Sequence, residues 1–334
     1  MHMIFLSIGS LILGLLLLVK GADWLVDGAS SIAKRMGISD LTIGLTVVAF
    51  GTSMPELVVN ILSSIRGAND IAIGNIVGSN IANILLILGI AATITRIAVK
   101  QSTVWKEIPL ALLASVVLLL MANDAIVDGY PVSEISRSDG LTFIAFFCIF
   151  LWYTAGIRKQ DTDKEQDSAQ PRGLPLSIVF VLAGLALLIL GGKLSVDGAV
   201  TIAEGLGISQ ALIGLTVVAV GTSLPELATS IVAAMRGKAD IAVGNIVGSN
   251  IFNVFWILGV SAIISPVKFE PAMNTDLFVA ILATVVLFFA VHTGYLHHRL
   301  VFWKQRDSHV VERADGILML VLYAAYIGYL VWRG

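Results

Sequence analysis

The chain has 334 residues, 57% of them hydrophobic and 13% charged, with a formal net charge of −2 and a mean hydropathy of +0.91. Ordinary soluble domains carry about 25% charged residues, so this composition excludes a soluble globular fold. The absence of a basic excess excludes a nucleic-acid footprint.

A hydrocarbon core asks for about 20 apolar residues per helix. In the first half, spans are predicted near 3–33, 41–65, 71–95, 105–121 and 141–157. The first could pass for a secretion signal, but it lacks a basic lead and a small-residue cleavage site. Its Gly21 and Asp27-Gly28-Ala29 also recur as Gly191 and Asp197-Gly198-Ala199, so it reads as a transmembrane helix.

The second span carries Gly51-Thr52-Ser53-Met54-Pro55-Glu56. Proline inside a helix removes a backbone donor and clashes with the carbonyl four residues earlier. Pro55 should therefore free the carbonyls around Gly51 and Thr52, which in lipid must find partners or line a cavity. Glu56 follows at once, too deep in its span for easy snorkelling, where a charge costs on the order of 3 kcal/mol. Retaining that cost argues for use.

The third span contains Gly74-Asn75-Ile76-Val77-Gly78-Ser79-Asn80, then Asn83. Its GxxxG spacing brings helices close. Ser79 and Asn83 are four apart and so share one helical face, read here as lining a cation path, with Asn75 and Asn80 as structural glue. In the fifth span the lone Cys148 reads as packing. Arg137-Ser138-Asp139-Gly140 opens that span, with Asp139 near the positive end of the helix dipole.

A polar stretch, 158–173, then separates the halves, and further spans are predicted near 174–203, 211–235, 241–264, 275–292 and 316–332. The second half repeats the first. GLTVVAFGTSMPEL at 44–57 returns as GLTVVAVGTSLPEL at 214–227, and DIAIGNIVGSNI at 70–81 as DIAVGNIVGSNI at 240–251, both at an offset of 170 residues. The second glutamate is Glu226, and Asn253 matches Asn83. The expected organisation is a first repeat over 1–157, a linker over 158–173 and a second repeat over 174–334. Five spans per repeat is an odd number, so the copies must cross the bilayer in opposite senses, as inverted repeats about an axis in the membrane plane.

The charges agree. Loops at 34–35, 96–106, 158–172, 236–238 and 299–313 collect most lysines and arginines, against Arg66, Arg137, Lys268 and Arg333 on the opposite face. Basic residues favour cytoplasmic loops, which places the linker inside the cell and both termini outside. At matched positions Lys34 becomes Glu204 and Lys100 becomes Glu270, while Ala68 becomes Lys238. The membrane motifs persist while loop charges are exchanged.

Carboxylate, hydroxyl and freed carbonyl make an all-oxygen set suited to calcium or sodium, and the lack of nearby Cys or His speaks against zinc, copper or iron. At these residues the chain resembles the sodium/calcium exchanger superfamily, the cation/calcium exchangers, whose two inverted repeats carry a GTS-x-PE motif followed by a GSN-like motif. The likeness covers essentially the whole chain, and the short linker resembles the prokaryotic branch.

The resemblance implies an all-α polytopic membrane protein of about ten helices that exchanges calcium for sodium by alternating access, in the plasma or inner membrane. It implies no cofactor, no nucleic acid, no obligate protein partner and no enzymatic activity. It assigns calcium to the carboxylates of Glu56 and Glu226 and the carbonyls of Thr52 and Thr222. It assigns sodium to overlapping groups: the carbonyls of Ala49 and Ala219, and Ser53, Ser223, Ser79 and Ser249, with Asn83 and Asn253 completing the ring. The long first and sixth spans would slide across a rigid core. Some relatives have Asp where this chain has Asn253, one fewer titratable group. Calcium/proton or potassium-dependent exchange stands as the alternative. A channel, or an enzyme using the two glutamates as a dyad, fits the repeat less well.

Overall fold

The computed structural model describes residues 2–157, 172–205, 219–300 and 309–333. The first half forms α1 (His2–Met36), a broken span made of α2 (Asp40–Thr52) and α3 (Met54–Ile65), α4 (Asn69–Ile94), α5 (Thr103–Met121) and α6 (Arg137–Ile157). The second forms α7 (Leu174–Gly205), the pieces α8 (Ala219–Thr222) and α9 (Leu224–Met235), α10 (Ala239–Ile264), α11 (Asn274–Leu300) and α12 (Arg313–Arg333). The predicted linker up to residue 171 and the 211–218 part of the seventh span lie outside the described residues. Among those described, eight helices are long and apolar enough to cross a bilayer singly, and the α2–α3 pair makes a ninth span.

The helices begin where the capping chemistry directs. Asp139 Oδ2 accepts from the Ser136 N–H at 2.8 Å while Ser136 Oγ accepts from the Asp139 N–H at 3.3 Å, a reciprocal cap. This starts α6 before its apolar run. Asp315 does the same for α12, accepting from the Glu312 N–H at 2.9 Å.

The motif-bearing helices α4 and α10 sit at the centre, 78% and 83% buried, whereas the other single-helix spans are 22–39% buried. The two long helices α1 and α7 pack antiparallel along a seam of small residues every seven positions. Ser7, Gly14, Gly21 and Gly28 meet Gly198, Gly191, Gly184 and Ser177 in that order. A Cβ on Gly21 would lie 2.8 Å from the Gly184 carbonyl, and one on Gly184 2.7 Å from the Leu25 nitrogen. In lipid, where the solvent is as apolar as leucine, such close backbone approach supplies the attraction between helices.

The halves are related by a two-fold exchange of contacts. Asn80 Nδ2 donates to the Asn250 carbonyl at 3.3 Å and Asn250 Nδ2 to the Asn80 carbonyl at 3.2 Å. With an odd number of spans per half, that axis lies in the membrane plane, and the fold is two inverted helical repeats. Two short ribbons, unforeseen in the all-α reading, join loops of the two halves: β1 (Ile97–Val99) pairs with β4 (His309–Val311), and β2 (Glu134–Ile135) with β3 (Val267–Lys268).

The symmetry is broken at the long helices. α1 packs along α9, whereas α7 makes no comparable contact with α3. At the α1–α9 end Arg236 pairs with Asp23, Arg172 with Asp27 at 2.6 Å, Lys238 with Asp40 at 3.2 Å and Lys100 with Asp240 at 2.9 Å. Asp23 and Asp27 thus serve ion pairs at a helix end. α7 instead covers both breaks, with Leu185 over Gly51 and Val196 over Gly221.

Candidate cation site

The break between α2 and α3 is a 47° bend at Ser53, which has left the helical region at φ −82° and ψ 9°. The sequence predicts a proline kink within one helix. The structure places Pro55 in the first turn of a new helix, where its missing N–H is an unpaired group in any case. Pro55 offers no N–H to the Gly51 carbonyl, and across the bend the Leu57 N–H bonds the Ser53 carbonyl at 3.1 Å. Glu56 consequently falls in the first turn of α3, near the positive end of its dipole. The second half repeats the device: Ser223 has φ −86° and ψ 6°, and Pro225 and Glu226 open α9.

The two breaks meet at the centre of the protein. Glu56 and Glu226 are each only 1% exposed. Each is held by serines from both halves. Ser53 Oγ donates to Glu226 Oε1 at 2.8 Å and stands 3.0 Å from Ser249 Oγ, which reaches the same carboxylate oxygen at 3.4 Å. In mirror fashion, Ser223 Oγ donates to Glu56 Oε1 at 3.2 Å and stands 3.1 Å from Ser79 Oγ, itself 3.5 Å from that oxygen. Six of the sequence-assigned residues therefore form two hydrogen-bonded triads, Ser53–Glu226–Ser249 and Ser223–Glu56–Ser79, each drawing on both halves.

Asn83 and Asn253 belong to an adjoining amide network. Their Nδ2 groups donate to Asn250 Oδ1 and Asn80 Oδ1, both at 2.9 Å. Each lies in a π-helical stretch, Ala82–Leu88 and Phe252–Leu258, a wide turn often found at functional sites. Asn80 and Asn250, which the sequence leaves as glue, prove to be the groups that orient this pair.

Within these triads and the adjoining amide network, four of the buried oxygens without a hydrogen-bond partner stand together: Glu56 Oε2, Glu226 Oε2, Asn83 Oδ1 and Asn253 Oδ1. All four are acceptors, and all sit at equivalent positions of the two halves. Buried polar groups are costly unless satisfied, and acceptors of this kind are satisfied by a hard cation. The side chains gathered here, two glutamates, four serines and four asparagines, present oxygen ligands, and among the described residues no group of three or more His, Cys, Asp and Glu side chains is assembled.

The remaining assigned residues flank the cluster. The Thr52 hydroxyl, 1% exposed, stands 3.1 Å from the Val48 carbonyl and 3.0 Å from Asn245 Oδ1. The Ala49 carbonyl already accepts the Ser53 N–H at 3.0 Å, whereas in the second half the Ser223 N–H turns to the Val220 carbonyl at 3.1 Å and not to Ala219. The two breaks are thus not hydrogen-bonded alike. Thr222 is only half-buried where Thr52 is fully buried.

A family model described as "Sodium/calcium exchanger protein" matches residues 6–156 and 176–332. The chain is 39% identical to "Inner membrane protein YrbG" of Escherichia coli (98% of this chain and 97% of that protein). It is 33% identical to the sodium/calcium exchanger MaX1 of Methanosarcina acetivorans (95% and 96%). Its fold matches the solved structure of the sodium-calcium exchanger NCX_Mj soaked with zero Na+ and Ca2+ at a TM-score of 0.81 and 33% identity, covering 98% and 99% of the two chains. Duplicated breaks, a buried pair of carboxylates and full-length similarity lead to one conclusion: the chain belongs to the sodium/calcium exchanger protein family, membrane transporters of the cation-exchange type and not enzymes.

Proposed function

We propose that this protein is a secondary-active antiporter that exchanges calcium for sodium by alternating access. The observation that carries this reading is the pair of buried carboxylates, one per half, each fixed through Oε1 and each with its Oε2 unpartnered. Calcium takes six to eight oxygen ligands. Glu56 and Glu226 binding bidentately, with the Thr52 and Thr222 carbonyls, would supply six. Sodium would draw on the same carboxylates with Ser53, Ser79, Ser223, Ser249 and the Ala49 and Ala219 carbonyls, with Asn83 and Asn253 completing the ring. Two ions that share ligands displace one another, and this competition is the physical origin of antiport. The similarity to NCX_Mj, a sodium-calcium exchanger, supports the same choice of ions.

Proton coupling is the second reading. An amide at Asn253 leaves two carboxylates as the titratable groups of the cluster, which favours sodium. In proteoliposomes loaded with sodium and held at one pH on both sides, calcium-45 uptake is expected to proceed. Uptake that needs a pH gradient and ignores sodium would replace this reading with calcium/proton exchange.

The loop charges support a cytoplasmic 158–173 linker, extracellular termini, and halves bounded at 157 and 174. A cysteine introduced at Ser168, in a background with Cys148 replaced, is expected to resist impermeant maleimide in intact cells and to react after permeabilisation. Labelling of intact cells would invert the topology.

A further inference from the structure

Asn245 in α10 is completely buried. Its Oδ1 accepts from Thr52 Oγ1 at 3.0 Å, across the boundary between halves, and its Nδ2 donates to the Glu226 carbonyl at 3.5 Å and to Ser230 Oγ at 3.0 Å. Asn75 in α4 makes the matched contacts: Oδ1 accepts from Thr222 Oγ1 at 3.3 Å and Nδ2 donates to the Glu56 carbonyl at 3.5 Å. Each asparagine ties the threonine that ends one half's broken helix to the glutamate that opens the other's.

We infer that Asn75 and Asn245 are positioning residues for ion exchange, crossed struts that set the two carboxylates relative to each other and commit the threonine hydroxyls, leaving the threonine carbonyls for the cation. The inference rests on the calcium-binding reading above. A threonine hydroxyl has one proton. Directed at an asparagine, that proton fixes the side chain and with it the local backbone of the break. Binding groups must be held to about 0.5 Å to act, and the two breaks come from different halves, so the Thr–Asn bonds add to the Ser53–Glu226 and Ser223–Glu56 bonds in setting one break against the other.

The struts are unequal. Asn245 is braced by Ser230, whereas the residue matching Ser230 is Asn60, whose amide turns instead to the Ala72 carbonyl at 3.1 Å. Asn75 is half-buried, and its threonine contact is the longer of the two. The Thr52–Asn245 strut should therefore govern affinity more than Thr222–Asn75.

The test uses the full chain in proteoliposomes, with half-saturating calcium and maximal rate from calcium-45 uptake, and calcium binding by titration calorimetry. Thr52→Val and Asn245→Ala are each expected to raise half-saturating calcium about tenfold, the cost of one orphaned buried partner, while maximal rate at saturating calcium falls less. Thr52→Ser should restore the wild-type value, and Thr222→Val should have a smaller effect than Thr52→Val. The double variant should be no worse than Asn245→Ala alone, because the contact that Thr52→Val removes, Thr52–Asn245, is already lost in Asn245→Ala. If Asn245→Ala fails to fold, Thr52→Val carries the test, since it keeps shape and main chain. Wild-type affinity in Thr52→Val, or losses that multiply in the double variant, would overturn the struts. Absence of calcium binding by the wild-type protein would instead sink the parent reading.

Discussion

Glu56→Gln and Glu226→Gln are each expected to abolish the proposed calcium-for-sodium exchange in proteoliposomes, without unfolding the protein. Glutamine preserves the shape of the side chain and an acceptor for the serine that reaches it, Ser223 for Glu56 and Ser53 for Glu226. What it removes is one of two negative charges in a site where water is excluded. Deleting one partner of a buried charge pair costs about 3–5 kcal/mol, roughly a hundredfold to several thousandfold in affinity at 1.4 kcal/mol per factor of ten. The ion-free protein should not suffer, because a buried amide is cheaper than a buried carboxylate. Thermal unfolding separates the two effects. Wild type should gain about 2.7 kcal/mol at a calcium concentration a hundred times its dissociation constant, whereas either variant should show almost no calcium-dependent shift. Near-normal exchange by either variant would remove the carboxylates from the site.

Gly21→Leu and Gly184→Leu are expected to destabilise the protein by about 1–3 kcal/mol each, the usual range for overpacking, and to cut the yield of folded, exchanging protein. The reason is geometric. A Cβ at Gly184 would stand 2.7 Å from a backbone nitrogen and 2.8 Å from the Gly21 carbonyl, and backbone has no rotamer with which to move aside. The α1–α7 seam would have to open along its length. Gly9 is the control, on the same helix, with nothing within 4 Å of its would-be Cβ. Gly9→Leu should leave thermal stability within about 0.5 kcal/mol. Equal damage at Gly9 and Gly184 would show that the seam is not what the glycines serve.

The place of the two interruptions is legible in the sequence because a proline and a glutamate in an apolar run are both expensive and both recur at one offset; that each interruption is a break with a new helix, and not a kink, is not legible, because proline fits a helix's first turn as well as it bends a helix's middle. Inversion was legible because five is odd and the loop charges trade places. That Glu56, Glu226 and the four serines lie together was legible from the duplicated motifs, but not contact by contact. That Ser53 serves Glu226, and Ser223 Glu56, depends on how the halves interlock, and a repeat describes each half without describing their interface. Asn80 and Asn250 were read as glue for the same reason. The shared face of Ser79 and Asn83 was reckoned on a 3.6-residue period, and the wide turn that begins at Ala82 departs from it. The ribbons went unseen because strands of two or three residues carry no pattern of their own.

The salt bridges that fasten α1 and the start of α2 against the second half have a thermodynamic consequence. An inverted duplication passes to its opposite state when its halves trade conformations. The end now held by Asp23–Arg236 and Asp40–Lys238 would then part, and the equivalent positions at the far end, Lys193 facing Arg66, with Ala68 in place of Lys238, would have to close. Two cations repel, and a methyl group binds no anion. At about 0.5 kcal/mol per pair, the two lost pairs make roughly a fivefold difference in population. If the protein works by the proposed alternating access, it is expected to idle on one side of its cycle, with a half-saturating calcium concentration that differs according to the face of the membrane from which the ion arrives.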